Sequence, residues 1–576
     1  MPVFSALAAT TALVTSGLTS AGLSTAAATF GANLIVGGGL SLASSALLRP
    51  KMPGAGKARY KTTINQAAAY RVRGYGTDKI SGVRAFLEER KNRLHQVILL
   101  HHGEIDGFGP IFFGDMRLEF DADGNATNGS LQKHGKKFVR IQTRRGRPDS
   151  DAYPDLIEIF PTRWSADHRI RGVATLYVMF RAPDAKRYPS AFPQGWDTPI
   201  STIARLSRVY DPRTGVTSHS ANNSLCIRDY LRHADGYRLA EEDLDPVSWG
   251  AFADICDEIV PRAGGGTEPR YRLGGTYSLQ AENKVTLAKM LATCDAELFL
   301  DQEGRVGIRG GVWTPPTVTI SDDQILSFDL ERGNDRFSAF NRLKITYTAP
   351  GQDYQTTEAP SWQNAADQAI RGVLEDSIDY EWVQSGTQAQ RLAAIHAAKQ
   401  NPRWKGTITT TLAGLAAYGE RTIRVQIADL GIDETFWIES CGIKADLTGC
   451  EITLRSLSAA AYSGTTTDDP TPDLPEDPDG EEIPAPAGMA LNIVELVGGG
   501  SAIRLAVDDP DYDGLELAAE YRRTGGYYAP MVTAEDDPLT AVSAAITPGA
   551  DYEVRAAWTT ARSAATDWSA PVAITA

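Results

Sequence analysis

His101-His-Gly-Glu-Ile-Asp106 gathers two imidazoles and two carboxylates in one short stretch, ligand types that a transition metal needs to converge on one point. The run that leads into it, His95-Gln-Val-Ile-Leu-Leu-His101, reads as a strand, and successive strand side chains face opposite ways. His101 and His102 should therefore diverge, which leaves a strand end and an acidic turn, Gly103 to Gly107, instead of a metal centre. Gly54-Ala-Gly-Lys57 has the shape of a phosphate loop, but Lys51 stands where the first glycine belongs and Ala58 where a Ser or Thr would hold magnesium. No G-x-S-x-G elbow and no H-E-x-x-H helix occurs, so hydrolase and zincin chemistry lack their signatures. Carboxylate pairs such as Glu241-Glu-Asp243 and Asp322-Asp323 are the ordinary content of solvated loops. The cysteines, Cys226, Cys256, Cys294, Cys441 and Cys450, show no zinc spacing, and five in 576 residues is no disulfide framework. Cys441 and Cys450 could meet only across a hairpin. No catalytic, cofactor-binding or metal-binding residue is assigned, and no cofactor is expected.

The composition is that of an ordinary packed chain. Apolar residues make up 42 % and charged residues 22 %, values of an ordinary globular protein long enough for several domains. With 57 basic and 72 acidic side chains the net charge is −15, which gives no overall attraction for phosphate backbones. Few cysteines and no framework suit assembly in a reducing cytoplasm.

The elements that would carry a function fall into six segments. Residues 1–48 hold no Asp, Glu, Lys or Arg and are rich in Gly, Ser, Thr and Ala. They form an uncharged arm that is buried against a partner, membrane-active or disordered; the missing positive n-region argues against a secretory signal. Residues 49–215 alternate as a β-rich domain, with strands at Tyr70–Gly74, His95–His101, Lys137–Gln142 and Val173–Phe180 and a turn at Asp121–Gly124. Residues 216–316 are mixed, with amphipathic helices at Leu225–Leu231, Trp249–Glu258 and Thr286–Asp295 and a hairpin over Glu297–Arg309. Residues 317–463 are β-rich again and contain the longest periodic helix, 387–399, capped by Thr387 and stopped before Pro402. Strands are expected there at Asn341–Tyr347, Lys405–Leu412, Arg421–Ile427, Thr435–Ile443 and Glu451–Leu457. Residues 464–486 form a linker in which Asp468 to Glu482 contains eight acidic residues and four prolines. Residues 487–576 alternate like a sandwich, and Tyr552 after Thr547-Pro-Gly549 resembles the tyrosine corner of fibronectin type III domains, with Trp568-Ser-Ala-Pro at the last-strand entry.

An ordered series of stretches resembles the tail-tip J family of long-tailed phages, the tip attachment or central baseplate hub proteins. The series runs through Val83 to Gly107, Arg169–Ala174, Val209–Gly215, Asn222-Asn-Ser-Leu-Cys-Ile-Arg-Asp-Tyr-Leu231 with its acidic run to Asp245, and Tyr271-Arg-Leu-Gly-Gly275. It continues with Asn341-Arg-Leu-Lys-Ile-Thr-Tyr347, Gln388-Ala-Gln-Arg-Leu-Ala393 and the terminal Ala-Tyr462, so that it covers residues 56–463. The resemblance implies a mainly β multi-domain fold of barrels and sandwiches with short helices. It also implies a homotrimeric virion protein at the distal tip of the tail, closing the tube. Implied partners are tail-tube proteins, the tape measure protein and fibre or receptor-binding proteins, with DNA as transiting cargo and the host outer membrane within reach of residues 1–48. Relatives carry long C-terminal fibre regions where this chain has one sandwich, so receptor contact belongs elsewhere or to residues 485–576. An acidic lumen would let DNA pass without sticking, and the basic stretches Lys51–Arg73 and Arg140–Arg147 would be docking faces. The alternative function class is a secreted or surface adhesion or carbohydrate-binding protein. A tail-attached peptidoglycan hydrolase is third.

Overall fold

Strand alternation dominates the sequence, and the structure is accordingly mainly β. A computed structural model describes residues 70–576 except 134, 184–187, 193–194, 263–264, 335–338, 445, 464–465, 467–484, 497–498, 510–515, 535–536, 538 and 560–567. The uncharged arm, the basic connector up to Ala69 and nearly all of the acidic linker lie outside the described residues. The chain divides into two compact units. One comprises described residues of Met1–Thr127, Val139–Phe180 and Pro199–Asp473, and the other Asn128–Phe138, Arg181–Thr198 and Leu474–Ala576.

The first unit begins with two antiparallel sheets. Arg93–His102 lies in a four-stranded sheet between Val83–Arg90 and Val173–Arg181, with Val139–Arg144 at the far edge. Ile200–Asp211 is central to a five-stranded sheet, paired with Ile105–Phe113, Val216–His219 and Thr77–Ile80. The expected turn over Gly103–Gly107 is shorter than its composition suggests, because Ile105 already pairs with Ser207. Asp121–Gly124 does turn, with the Gly124 N–H donating to Asp121 O at 3.0 Å.

Four longer helices follow: α1 Asn223–Arg232, α2 Pro246–Asp257, α3 Asn283–Ala292 and α4 Gly386–Gln400. Asn222 caps α1, and Asp245 caps α2, whose first residue is Pro246, where a missing N–H costs nothing. The hairpin Ala296–Leu300/Val306–Gly310 lies beside them. Arg342–Ala349 runs between Gln355–Gln363 (antiparallel) and Glu375–Tyr380 (parallel). One apolar core collects α1, α2, α3, the hairpin, this three-stranded sheet and α4, from Tyr75 through Trp249 and Phe252 to Ala397. It runs on both sides of residue 316. Helix α4 corrects the expected cap: Ser385, not Thr387, accepts the Gln388 N–H, and Thr387 is buried in the first turn.

A six-stranded sheet closes the unit in the order Thr319–Ile320, Thr422–Ile427, Ile432–Ile443, Cys450–Ser456, Trp404–Thr410, Ile325–Arg332. Its own core is Ile408, Ile423, Val425, Phe436, Ile452 and Leu454 with their neighbours. In the second unit two four-stranded sheets, Ala490–Glu495/Ser501–Ala506/Thr540–Val542/Val532–Thr533 and Ala529–Pro530/Glu516–Arg523/Asp551–Thr559/Val572–Thr575, share one core around Ile503, Val554 and Trp558. The Tyr552 hydroxyl accepts the Thr547 N–H at 3.0 Å.

Candidate functional site

Three of the four groups of the His101–Asp106 stretch, His101, His102 and Asp106, have separate engagements. His101 is buried; its Nε2 accepts the Gly74 N–H at 2.9 Å, which leaves Nδ1–H facing Gly103 O at 3.2 Å. Burial, with Arg73 nearby, lowers its pKa to about 3, so the ring stays neutral. His102 points the other way and lies 3.5 Å from Asp235, while Asp106 pairs with Arg205 at 2.8 Å. Strand alternation separates the imidazoles as anticipated. Among the described residues no group of three or more His, Cys, Asp or Glu could hold a metal ion.

The cysteines are thiols of the interior. Burial pushes Cys256 up to about 12 and Cys226 and Cys294 well above the ordinary range, which removes thiolate chemistry from them. All five are free, and the strand register sets Cys441 opposite Ile452 and Cys450 opposite Ile443, on a diagonal rather than a direct pair.

The chemistry that remains is a seam of buried polar side chains that tie together segments far apart in the chain. At its first point Arg73 Nη2 meets Asp229 Oδ2 at 3.0 Å, and the Tyr75 hydroxyl donates to the same oxygen at 2.8 Å. The strand Val72–Tyr75 is thereby fixed to α1. Gly74 permits the approach, since a Cβ there would stand 2.5 Å from Gly275 O across the strand pair. Lys79 adds an ion pair with Asp353 at 2.6 Å, and Gln384 Nε2 donates to Thr77 O at 2.6 Å.

The second point consists of amides that replace missing strand partners. Gln388 on α4, 1 % exposed, accepts the Arg272 N–H at 3.0 Å and donates to Arg272 O and Thr293 O, each at 2.9 Å. Asn222 caps α1 and donates to Ala253 O at 2.9 Å on α2. Asn341 accepts the Leu374 N–H and donates to Asp367 and Gly372 O, all at 2.8 Å. Each lies in a stretch singled out in the sequence, and each side chain satisfies backbone groups of another segment.

The third point is ionic and was missed. Asp295 sits between α3 and the hairpin with φ +49°, and its carboxylate receives Lys399 at 2.5 Å, Arg421 at 2.8 Å and the Tyr462 hydroxyl at 2.8 Å. Arg421 also pairs with Glu297 at 2.6 Å. Burial alone would raise the Asp295 carboxyl, but Lys399 and Arg421 beside it override that and hold it below the carboxylate range. No local spacing announces the node, because the partners lie 104, 126 and 167 residues away. The terminal Tyr462 was the one visible hint. The Asp295 node joins four stretches of chain, those of Asp295 and Glu297, Lys399, Arg421 and Tyr462.

No protein-family model matches the chain, and no curated protein matches it. Among solved structures, a chain of the "Virion of native gene transfer agent (GTA) particle" is similar in fold, with a TM-score of 0.50 at 14 % identity. The match covers 75 % of this chain and 96 % of that one.

Proposed function

We propose that the chain is a structural virion protein, the central hub at the distal tip of a long phage-type tail. The observation that carries this is the fold shared with a chain of a gene transfer agent virion across three quarters of the sequence. The buried seam supports it, since a hub has to transmit force between tube and fibres without coming apart, and ion pairs with amide clamps resist shear better than loosely docked domains. In this proposal three copies surround an axis. They meet tail-tube proteins above, fibre or receptor-binding proteins below, and open for the tape measure protein and DNA. Residues 487–576 are a fibronectin type III-like module joined through an acidic spacer, the expected place for a docked fibre.

The charge distribution sharpens the expectation for the conduit. Residues 1–215 hold 29 basic and 17 acidic side chains, a net +12, so the remaining residues carry −27. A lumen that repels DNA would therefore be lined by residues after 215, and the basic first domain would face protein. Immuno-electron microscopy with antibodies to residues 487–576, together with the mass of the purified chain, tests the proposal. Label at the distal tail tip and a trimer mass are expected; label on the capsid, or a monomer in a map away from the tail axis, would overturn it.

A further inference from the structure

One end of the six-stranded sheet is an uncovered apolar corner. Thr411 N–H donates to Gln324 O at 2.8 Å, Ile443 pairs with Cys450, and Leu326 Cδ1 lies 3.5 Å from where a Cβ on Gly449 would stand. The segment Leu412–Ala417 folds over the same corner, with Gly414 against Thr410 and Cys450. These contacts set Leu326 beside Gly449 and the segment Leu412–Ala417 beside Thr410 and Cys450; in or next to these segments Leu326, Leu412, Leu415, Tyr418, Ile443 and Leu447 have exposures from 42 % to 69 %. Several large apolar side chains exposed at one end of a sheet mark an interaction site. Exposed carboxylates flank these segments in the chain, Asp323 before Leu326 and Asp446 and Glu451 around Leu447, with Lys444 the basic neighbour, while Asp322 is turned to the Ala428 N–H.

One segment of this chain has the complementary chemistry in the matching order. Residues 1–48 carry no charge and nine leucines, while residues 49–69 carry Arg49, Lys51, Lys57, Arg59 and Lys61 and no acid. An uncharged apolar stretch this long needs a surface to cover. The 21 residues from 49 to 69 reach up to about 70 Å when extended, ample to span a domain. We propose that the arm, residues 1–48, docks on the corner around Leu326, Leu412 and Leu447, with the basic connector lying over the flanking carboxylates. The inference does not depend on the hub proposal, because it concerns the purified chain alone.

The test is maleimide labelling of the full chain bearing Leu447→Cys, against the same variant lacking residues 2–48. Four of the native cysteines are buried and Cys441 is partly so, which keeps the background low. Labelling at 447 should be at least ten-fold slower with the arm present. Equal fast rates would overturn the proposal, and slow rates in both would also overturn it, since something other than the arm would then cover the corner. Leu326→Asp with Leu447→Asp, two exposed positions that the sheet can tolerate, provides a second readout. The arm should then be cut by trypsin between Arg49 and Lys61 several-fold faster than in the native chain, and an unchanged rate counts against docking.

Discussion

The seam of residues 72–463 and the sandwich of residues 487–576 are held by different physics. In the sandwich the core is apolar, its strands pair with one another, and Tyr552 bonds a backbone group 5 residues away. In the seam the decisive contacts are buried charges and amides, and they join residues 26 to 307 positions apart. The sandwich closes on an apolar core of its own. The seam makes several sheets and helices behave as one piece, and its cost is that any one missing partner strands a buried charge.

The comparison breaks most sharply at Asp295. Asp295→Ala removes the common partner of Lys399 and Arg421, so calorimetry should show the seam's unfolding transition destabilised by about 3–5 kcal/mol, with the sandwich transition unmoved. A loss below ~1 kcal/mol would mean that water reaches the node. Gln388→Leu leaves the Arg272 peptide and Thr293 O without their partner and should cost about 2–3 kcal/mol; an unchanged midpoint in urea would show that these groups find other bonds. The third effect is pH. His101 is neutral in the fold at a pKa of about 3, while an unfolded histidine binds its proton near the ordinary value, so stability is full above about pH 6.5 and falls as the pH drops toward 3. Between pH 6.5 and 5 this one group should lower the seam's stability by about 2 kcal/mol. The sandwich, whose sequence contains no histidine, should show no such loss. His101→Gln should flatten the profile; an equally steep one would assign the loss to other groups, such as His95, which burial lowers to about 4. Smallest is Tyr552→Phe, which gives up one hydrogen bond and should cost the sandwich about 1 kcal/mol. A shift in the seam's transition instead would tie the two regions together more closely than their separate cores suggest.

Local signals were legible where a segment's own pattern decides its shape. Helices at 223–232, 246–257, 283–292 and 386–400 announce themselves by apolar residues every three or four positions, and the hairpin over 296–310 by its alternation and Gly304 turn. The twelve-residue strand Ile200–Asp211 was invisible because Ser201, Thr202 and Ser207 are buried beside its apolar residues, which erases the alternation. The cap of α4 was misjudged by two residues because Ser385 also donates to Glu268 at 2.7 Å, a partner 117 residues distant. The amide clamps were recognisable as stretches but not as clamps.

Composition and periodicity by themselves point to a mainly β chain with four amphipathic helices, an alternating C-terminal segment and an acidic, proline-rich stretch, and they show no recognised catalytic motif. These are properties of neighbouring residues, set by backbone sterics and the spacing of apolar side chains. Only the tertiary structure decided that Asp295, Lys399, Arg421 and Tyr462 meet, that His101 is a neutral hydrogen-bond acceptor rather than a ligand, and that Leu326 lies beside Gly449. Coulomb attraction and burial act across space, and a linear order carries no record of which distant groups the packed core will bring within 3 Å.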